Sequence, residues 1–277
     1  MKNILVKPIL KWVGGKRQLL HEIIPLIPKK YSTYVEPFLG GGAVLFELQP
    51  KCAIVNDSNE ELMNVYEMIK DKPGELINLL KVHEEKNSEE YYYKIRSMDR
   101  AIEYVSLTKL QRAARIIYLN KTCYNGLFRV NSAGEFNSPY GRYKNPNIVN
   151  EPTIRALSKY FQANKIEFFN EDYLFILENI KKNTFVYIDP PYMPISSSSS
   201  FTGYTKNGFS YEQQKELRDA CDKLRDKGIR FVESNSDCRE IRELYKEYDI
   251  KSVQAKRYVN SDAEKRGEIS EVLICNV

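Results

Sequence analysis

The stretch with the clearest chemical content is Phe185-Val186-Tyr187-Ile188-Asp189-Pro190-Pro191-Tyr192. Val186, Tyr187 and Ile188 read as a short buried strand, and two prolines stop it, because proline fixes φ and has no amide hydrogen to give a sheet. A carboxylate, Asp189, is thereby left at the carboxyl edge of a sheet. Pro190 and Pro191 present carbonyls with no donors of their own, so Asp189 and the Pro190 carbonyl form a compact, rigid pair of acceptors. Such a pair suits a planar amino group with two hydrogens to donate, and Tyr192 offers a π-face on which a flat ring can stack. The exocyclic amine of a nucleobase has that shape. A strand ending in an acidic turn beside a core tyrosine is the plainer reading of the same residues, and the surrounding chain has to decide between them.

Two earlier stretches look built to approach a ligand. In Leu10-Lys11-Trp12-Val13-Gly14-Gly15-Lys16-Arg17 the only tryptophan precedes a Gly-Gly turn and two cations, which open a helix through about Ile24. Glycines let the backbone come close to a ligand, and Lys16 near a helix start can meet an anion, although the spacing is not that of a phosphate loop. The stretch Tyr34-Val35-Glu36-Pro37-Phe38-Leu39-Gly40-Gly41-Gly42-Ala43 reads as a strand turning through glycines into a helix. A second strand, Ala53-Ile54-Val55, ends in Asn56-Asp57. A glycine-rich first turn and an acid at the tip of the next strand is how α/β sheets hold a nucleoside. The full Gly-x-Gly-x-x-Gly pattern is missing, so a single nucleoside such as S-adenosylmethionine fits better than NAD.

These elements need a sheet to carry them. Regular alternation resumes at Glu151: a helix to about Gln162, strand Ile166–Phe169 with Glu171-Asp172 at its edge, a helix, then the strand ending in Asp189. Ser210 to Gln213 forms a capping-box start and Gly228 a stop for the next helix. Strand Ile229–Glu233, a helix from Asp237 to Tyr245, and strands Ile250–Val253 and Glu271–Cys275 close the sheet. The last two lack room for a crossover helix, only a charged loop from Lys256 to Gly267, so they are expected to pair antiparallel. The serine run Ser196–Ser200 reads either as a mobile loop beside the reactive edge or as an inert linker.

Between Asn59 and Lys144 the chain changes character. Helical stretches dominate, and Tyr91-Tyr92-Tyr93 reads as partly buried helix surface rather than a binding strip. A helix opening near Thr108 carries Leu110, Ala113, Ala114, Ile117 and Tyr118 at helical spacing, with Lys109, Arg112 and Arg115 expected on its other faces. After the turn signal Tyr124-Asn125-Gly126, Leu127–Asn131 and Glu135–Ser138 flank Ser132-Ala133-Gly134 and read as a β-hairpin. Cations and aromatics interleave here: Tyr124, Phe128, Arg129, Tyr140, Arg142, Tyr143 and Lys144. A hairpin of this width fits the DNA major groove, where arginine reads guanine and tyrosine fills a gap in the base stack. On composition alone an ordinary solvated hairpin with surface charge is the better account.

Composition narrows the classes. The 277 residues are 42% hydrophobic and 29% charged, with net charge +5, enough for one large domain or a core domain with an insertion and mildly favourable to polyanions. No apolar run approaches about 18 residues, and the start is too weakly apolar for a signal peptide. The five cysteines, Cys52, Cys123, Cys221, Cys238 and Cys275, are odd in number and lack Cys-x-x-Cys spacing, which points to reduced thiols and a cytoplasmic setting. With only His21 and His83, imidazole-based metal or triad chemistry has almost no material, and no metal site is expected.

Taken together, Lys11-Trp12-x-Gly14-Gly15-Lys16, Glu36-Pro37-Phe38-x-Gly40-Gly41-Gly42, Asn56-Asp57, Asn125-Gly126-Leu127-x-Arg129-x-Asn131, Phe136-Asn137-x-Pro139, Gly141-Arg142-Tyr143 and Asp189 to Tyr192 resemble the Dam family of DNA adenine methyltransferases over nearly the whole chain. The resemblance implies an α/β, Rossmann-like mixed sheet with helices on both faces and an inserted helical and β-hairpin target-recognition domain. Residues 1–58 and 146–277 would form the catalytic domain and 59–145 the recognition domain. It implies S-adenosylmethionine as methyl donor, held by Trp12, Lys16, Glu36, Phe38, Gly40, Gly42, Asp57, Asp172 and Asp189. Asp189, Pro190 and Tyr192 would be catalytic, and Lys11, Tyr124, Asn125, Leu127, Arg129, Pro139 and Arg142 would touch double-stranded DNA, with GATC the family's most familiar target. A restriction endonuclease acting on the same site would be a natural partner. The sequence departs from the family pattern at Glu171 and Tyr173, where glycine and phenylalanine are expected, and in the serine run after Ile195. An RNA adenine methyltransferase, a non-catalytic DNA-binding module and an NAD oxidoreductase are the rival readings; the hairpin signature, the intact Asp-Pro-Pro-Tyr and the incomplete glycine pattern weigh against them in turn.

Overall fold

The structure is a computed structural model and describes residues 2–12, 14–194, 209–256 and 268–276. Its contacts divide the chain into two units, Met1–Gly15 with Gly40–Gln49 and Asn59–Asn170, and Lys16–Leu39 with Pro50–Ser58 and Glu171–Val277. The strands β1 (Thr33–Glu36), β2 (Cys52–Asn56), β3 (Lys165–Phe169), β4 (Thr184–Ile188), β5 (Arg230–Ser236), β6 (Asp249–Lys256) and β7 (Glu268–Cys275) belong to one seven-stranded mixed sheet.

In the second unit the strand order is β2-β1-β4-β5-β7-β6. β2, β1, β4 and β5 run parallel, whereas β7 is antiparallel to both β5 and β6, as expected for the last two strands. Every residue of β4 is buried between β1 and β5, which is why it is a continuous apolar run rather than an alternating one. β5 continues to Ser236, past the expected end at Glu233. Its second half, Glu233-Ser234-Asn235-Ser236, is polar in type yet at most 3% exposed. Buried partners such as the Tyr187 hydroxyl, 2.7 Å from Ser234 Oγ, keep the strand going. Helix Tyr211–Asp226 starts at the expected capping box of Ser210 and Gln213, stops before Gly228 at φ +69°, and packs against β5.

The first unit is largely helical, with helices Glu60–Asp71, Pro73–Glu85, Glu89–Ser97, Lys109–Thr122 and Glu151–Ala163. Thr108 and Gln111 close a capping box at the start of Lys109–Thr122, and Ala113, Ala114, Ile117 and Leu119 on that helix are fully buried. Arg115 departs from expectation: it is 2% exposed, not on a solvated face. Asp99 Oδ2 at 2.8 Å and the carbonyls of Ile95 and Arg96 take up its guanidinium, so the charge can be buried. Within the tyrosine run, Tyr92 is buried and Tyr91 and Tyr93 are more accessible.

The expected hairpin is present as a short antiparallel pairing around the Val130–Phe136 bridge, with the Asn137 amide donating to the Arg129 carbonyl at 2.7 Å and the Asn131 amide to the Glu135 carbonyl at 2.9 Å, and a second bridge joins Cys123 to Tyr140. Side chains add to these backbone bonds. Asp99 accepts the Phe136 amide at 2.7 Å, Arg129 Nη2 donates to the Asn137 carbonyl at 2.8 Å, Asn131 Oδ1 accepts the Ala133 and Glu135 amides, and the Ser138 hydroxyl donates to the Leu127 carbonyl. Ser196–Ser200 and the part of the charged loop beyond residue 256 lie outside the described residues. Among the described residues no helix is long and apolar enough to cross a membrane.

Candidate active site

Within the second unit, the end of β4 delivers Asp189 beside Lys16 and Tyr192. Lys16 Nζ lies 2.8 Å from Asp189 Oδ1 and 4.6 Å from the centre of the Tyr192 ring, with Lys16 5% and Asp189 21% exposed. Lys16 opens a short 3-10 turn, Lys16–Leu19, that continues through Leu20–Ile23, as the sequence suggested. Burial pushes the Asp189 carboxyl up to about 6; the Lys16 cation opposes this and Glu271 adds to it. Tyr192 donates its hydroxyl to Glu271 Oε2 at 2.7 Å, and burial holds its phenol far above the usual range. The site therefore offers an acidic oxygen, a cation and an aromatic face within one small region.

Side chains from neighbouring elements hold the turn that follows β4. Gln214 Nε2 donates to the Pro191 carbonyl at 3.0 Å, the Met193 amide donates to Asn235 Oδ1 at 3.2 Å, and the Ser236 hydroxyl donates to the Met193 carbonyl at 2.7 Å. None of these bonds uses the Pro190 carbonyl.

Other residues of the nucleoside pattern in this unit cluster around the ends of β1 and β2. Glu36, 2% exposed, accepts the Tyr34 hydroxyl at 2.8 Å. Phe38 meets Tyr173 at a tilt of 34°, centroids 4.9 Å apart, with Phe209 edge-on at 6.0 Å. Asn56 Nδ2 donates to the carbonyls of Pro37 and Glu171, its Oδ1 accepts the Glu171 amide, and its own carbonyl accepts the Leu39 amide. Asn56 thus ties the segment after β1 to the segment that carries Asp172. Asp57 follows it, half-buried; Asp172 is exposed and caps helix Tyr173–Glu178 through the Leu174 amide at 2.8 Å.

In the first unit Trp12 stacks on Phe128, centroids 4.7 Å apart. Gly40 has φ +50°, and a Cβ there would come 3.0 Å from Trp12 Cδ1; at Gly42, φ +67°, it would come 2.8 Å from the Phe46 ring. Both glycines are therefore required by backbone conformation and by close packing. Lys11 pairs its backbone with the Asn120 amide, N to Oδ1 at 2.9 Å and O to Nδ2 at 2.8 Å, and Asn120 also donates to the Gly126 carbonyl. Tyr124 is 57% exposed at the turn Tyr124–Gly126, where Asn125 takes φ +57°. Leu127 is half-buried and Pro139 exposed, its carbonyl accepting the Tyr124 amide at 2.8 Å. Arg142 is 77% exposed and meets Glu89 at 3.3 Å.

Sequence reasoning passed over Gln214, Asn235, Glu271 and Asn120, all polar residues inside helices or strands. Their positions carry no motif; the one signal was a polar run, Glu233 to Asp237, following an apolar strand start. None of the five cysteines is in a disulfide, and burial raises the Cys123 thiol to about 12, so it is no nucleophile.

Comparison with known proteins extends these local findings over the chain. Residues 12–259 match the family described as D12 class N6 adenine-specific DNA methyltransferase. The chain is 45% identical over 274 residues to the type II methyltransferase M1.LlaDCHI of Lactococcus lactis subsp. cremoris, covering 99% of this chain and 96% of that protein. It is 42% identical to the type II methyltransferase M.MjaIII of Methanocaldococcus jannaschii, over 98% of this chain and 99% of the relative. It is 33% identical to the DNA adenine methylase of Escherichia coli K12, over 96% and 94%. With the Asp-Pro-Pro-Tyr turn, the glycine turn and the matched span in agreement, the chain belongs to the D12 class of N6 adenine-specific DNA methyltransferases.

Proposed function

We propose that this enzyme methylates the amino group of an adenine turned out of duplex DNA, using S-adenosylmethionine, at a GATC site. The observation that carries the reading is Asp189 at the tip of β4, partly accessible, with the Tyr192 ring and the Lys16 ammonium beside it. The donor types in the second unit suit the cofactor: Lys16 for a carboxylate, Asp57 and Asp172 for hydroxyls or an ammonium, with Glu36 and Phe38; Trp12, Gly40 and Gly42 are further cofactor residues in this reading. When bound, S-adenosylmethionine supplies a methyl carbon on a sulfonium, and the adenine nitrogen lone pair forms the new N–C bond as the C–S pair returns to sulfur.

The chain's own residues prepare that nitrogen. Asp189 and the Pro190 carbonyl each accept one amino hydrogen, which draws the nitrogen toward a tetrahedral shape and frees its lone pair. The proton released after transfer passes to Asp189 Oδ, whose pKa near 6 lets it take and then lose the proton. Extruding the base costs a few kcal/mol, which stacking on Tyr192, worth about 1–3 kcal/mol, offsets together with side chains inserted from residues 124–142. Residues 59–145 act as the recognition domain, with Lys11, Tyr124, Asn125, Leu127, Arg129, Pro139 and Arg142 toward DNA, and residues 1–58 and 146–277 as the catalytic domain. The relatives' names, type II methyltransferase and DNA adenine methylase, support either a restriction endonuclease as partner at the same site or a stand-alone role. Free thiols support a cytoplasmic setting.

The test is methyl transfer from tritiated S-adenosylmethionine to duplexes that contain or lack GATC, with a matched RNA beside them. Label recovered as N6-methyladenine in the GATC duplex alone is the expected result. Label in the RNA alone, or an Asp189→Ala variant that keeps near-normal rate, refutes it.

A further inference from the structure

Behind the Asp-Pro-Pro-Tyr turn lies a buried pair of amides, Gln214 on helix Tyr211–Asp226 and Asn235 on β5, both fully inaccessible to solvent. Asn235 uses its whole hydrogen-bonding capacity. Its Oδ1 accepts the Met193 amide at 3.2 Å and the Ser236 amide at 2.9 Å, and its Nδ2 donates to Gln214 Oε1 and Glu233 Oε1, each at 3.0 Å. Gln214 then turns its own Nε2 on the Pro191 carbonyl at 3.0 Å. Each amide fixes the other: a flipped Gln214 would set NH2 against the Asn235 NH2 and oxygen against the Pro191 oxygen. Buried polar groups pay a full desolvation cost when such partners are lost, so the array has one stable arrangement.

We propose that Gln214 and Asn235 are positioning residues for methyl transfer, clamping the backbone on both sides of Tyr192 and thereby setting where Asp189 and the Pro190 carbonyl present their oxygens. The inference rests on the functional reading above and extends it to residues that touch neither base nor cofactor. Pro191 and Met193, the atoms that are gripped, bracket Tyr192, whose hydroxyl is fixed separately by Glu271. Between the gripped Pro191 carbonyl and the Pro190 carbonyl stands one residue of locked φ, so a shift of the first is handed to the second with little slack. Aliphatic side chains would fill the same space and leave the Pro191 carbonyl unheld.

Gln214→Glu tests the clamp. It preserves shape and the acceptor for Asn235, and replaces the donor to Pro191 with an oxygen that repels it. Single-turnover transfer from tritiated S-adenosylmethionine to a GATC duplex is expected to fall by up to about 100-fold, the loss typical of a misplaced reacting group. Cofactor affinity and KM for DNA should stay close to wild type. As pH falls and the introduced carboxyl gains a proton it can donate to Pro191 again, so the deficit relative to wild type should shrink, which a merely structural defect would not do. Should Gln214→Glu fail to fold, Gln214→Met removes both the donor to Pro191 and the acceptor for Asn235, without the repulsion, and is expected to give a loss of single-turnover rate as well. A single-turnover rate equal to wild type in the folded variant, or a deficit that does not change with pH in Gln214→Glu and is absent in Gln214→Met, overturns the clamp and leaves the functional reading standing. A wild-type chain that transfers no methyl group to the duplex overturns both.

Discussion

Lys16 and Asp189 form an ion pair of 2.8 Å in which the lysine is almost wholly buried and the aspartate keeps about a fifth of its surface. The carboxyl still titrates near 6, because burial outweighs the attraction of the ammonium. A reaction that needs Asp189 as an acceptor should therefore slow as pH drops through about 6. Removing the cation removes the influence that lowers this value, so Lys16→Met should move the inflection to higher pH. Single-turnover rates of both proteins across the range decide this, and an inflection that stays put or moves down speaks against the pair.

Glu233 should make the protein less stable as pH rises. Its carboxyl, fully buried, is pushed by burial from 4.5 to about 7. The folded chain thus binds this proton more tightly than the unfolded chain, and stability falls between the unfolded value and about 7, opposite to an ordinary ion-paired acid. Glu233→Gln, which cannot ionise, should flatten that slope and gain on the order of 3 kcal/mol at most above neutrality. Thermal melts of both proteins on either side of neutral pH test the sign.

Gly126→Ala should destabilise the first unit and displace Lys11. The glycine has φ +64°, and an added Cβ would collide with Lys11 Cδ. The backbone conformation alone costs about 1–2 kcal/mol for a residue with a side chain. Denaturant unfolding should show that loss, and DNA affinity should fall with it if Lys11 touches the duplex.

Arg129 and Arg142 should differ in kind. Arg129 is half-buried and anchored on the Asn137 carbonyl, whereas Arg142 stands exposed. Arg129→Ala should cost about 1–3 kcal/mol of discrimination at one base position. Arg142→Ala should weaken binding to all sequences alike and lower the salt slope by about 1. Binding titrations on GATC and singly changed duplexes at two salt concentrations separate these outcomes.

The parts of the fold that were legible in the sequence are those written in local chemistry. The apolar run of β4 and its Pro-Pro stop, the Ser210–Gln213 and Thr108–Gln111 capping residues, Gly228 and the antiparallel final pair are each set by neighbours in the chain. What could not be read depends on partners far away in sequence. Arg115 looked like surface charge until Asp99 and the Ile95 and Arg96 carbonyls met it. The polar end of β5 falls outside the expected strand because Tyr187 and Gln214, which satisfy Ser234 and Asn235, lie on other elements. The hairpin was legible, but not Asp99, which takes the Phe136 amide from 37 positions away. For the site, Asp189 and Lys16 stood out by motif, and the amides that hold the turn did not.

β7 follows every other strand along the chain yet inserts between β5 and β6. Its Glu271 holds the Tyr192 hydroxyl, so the Asp-Pro-Pro-Tyr turn gains this tether only when that segment slides into the sheet. A nascent chain with β6 already emerged still has an open β5 edge and no Glu271, and competence for methyl transfer should arise abruptly once β7 has emerged, rather than growing in step with the length made.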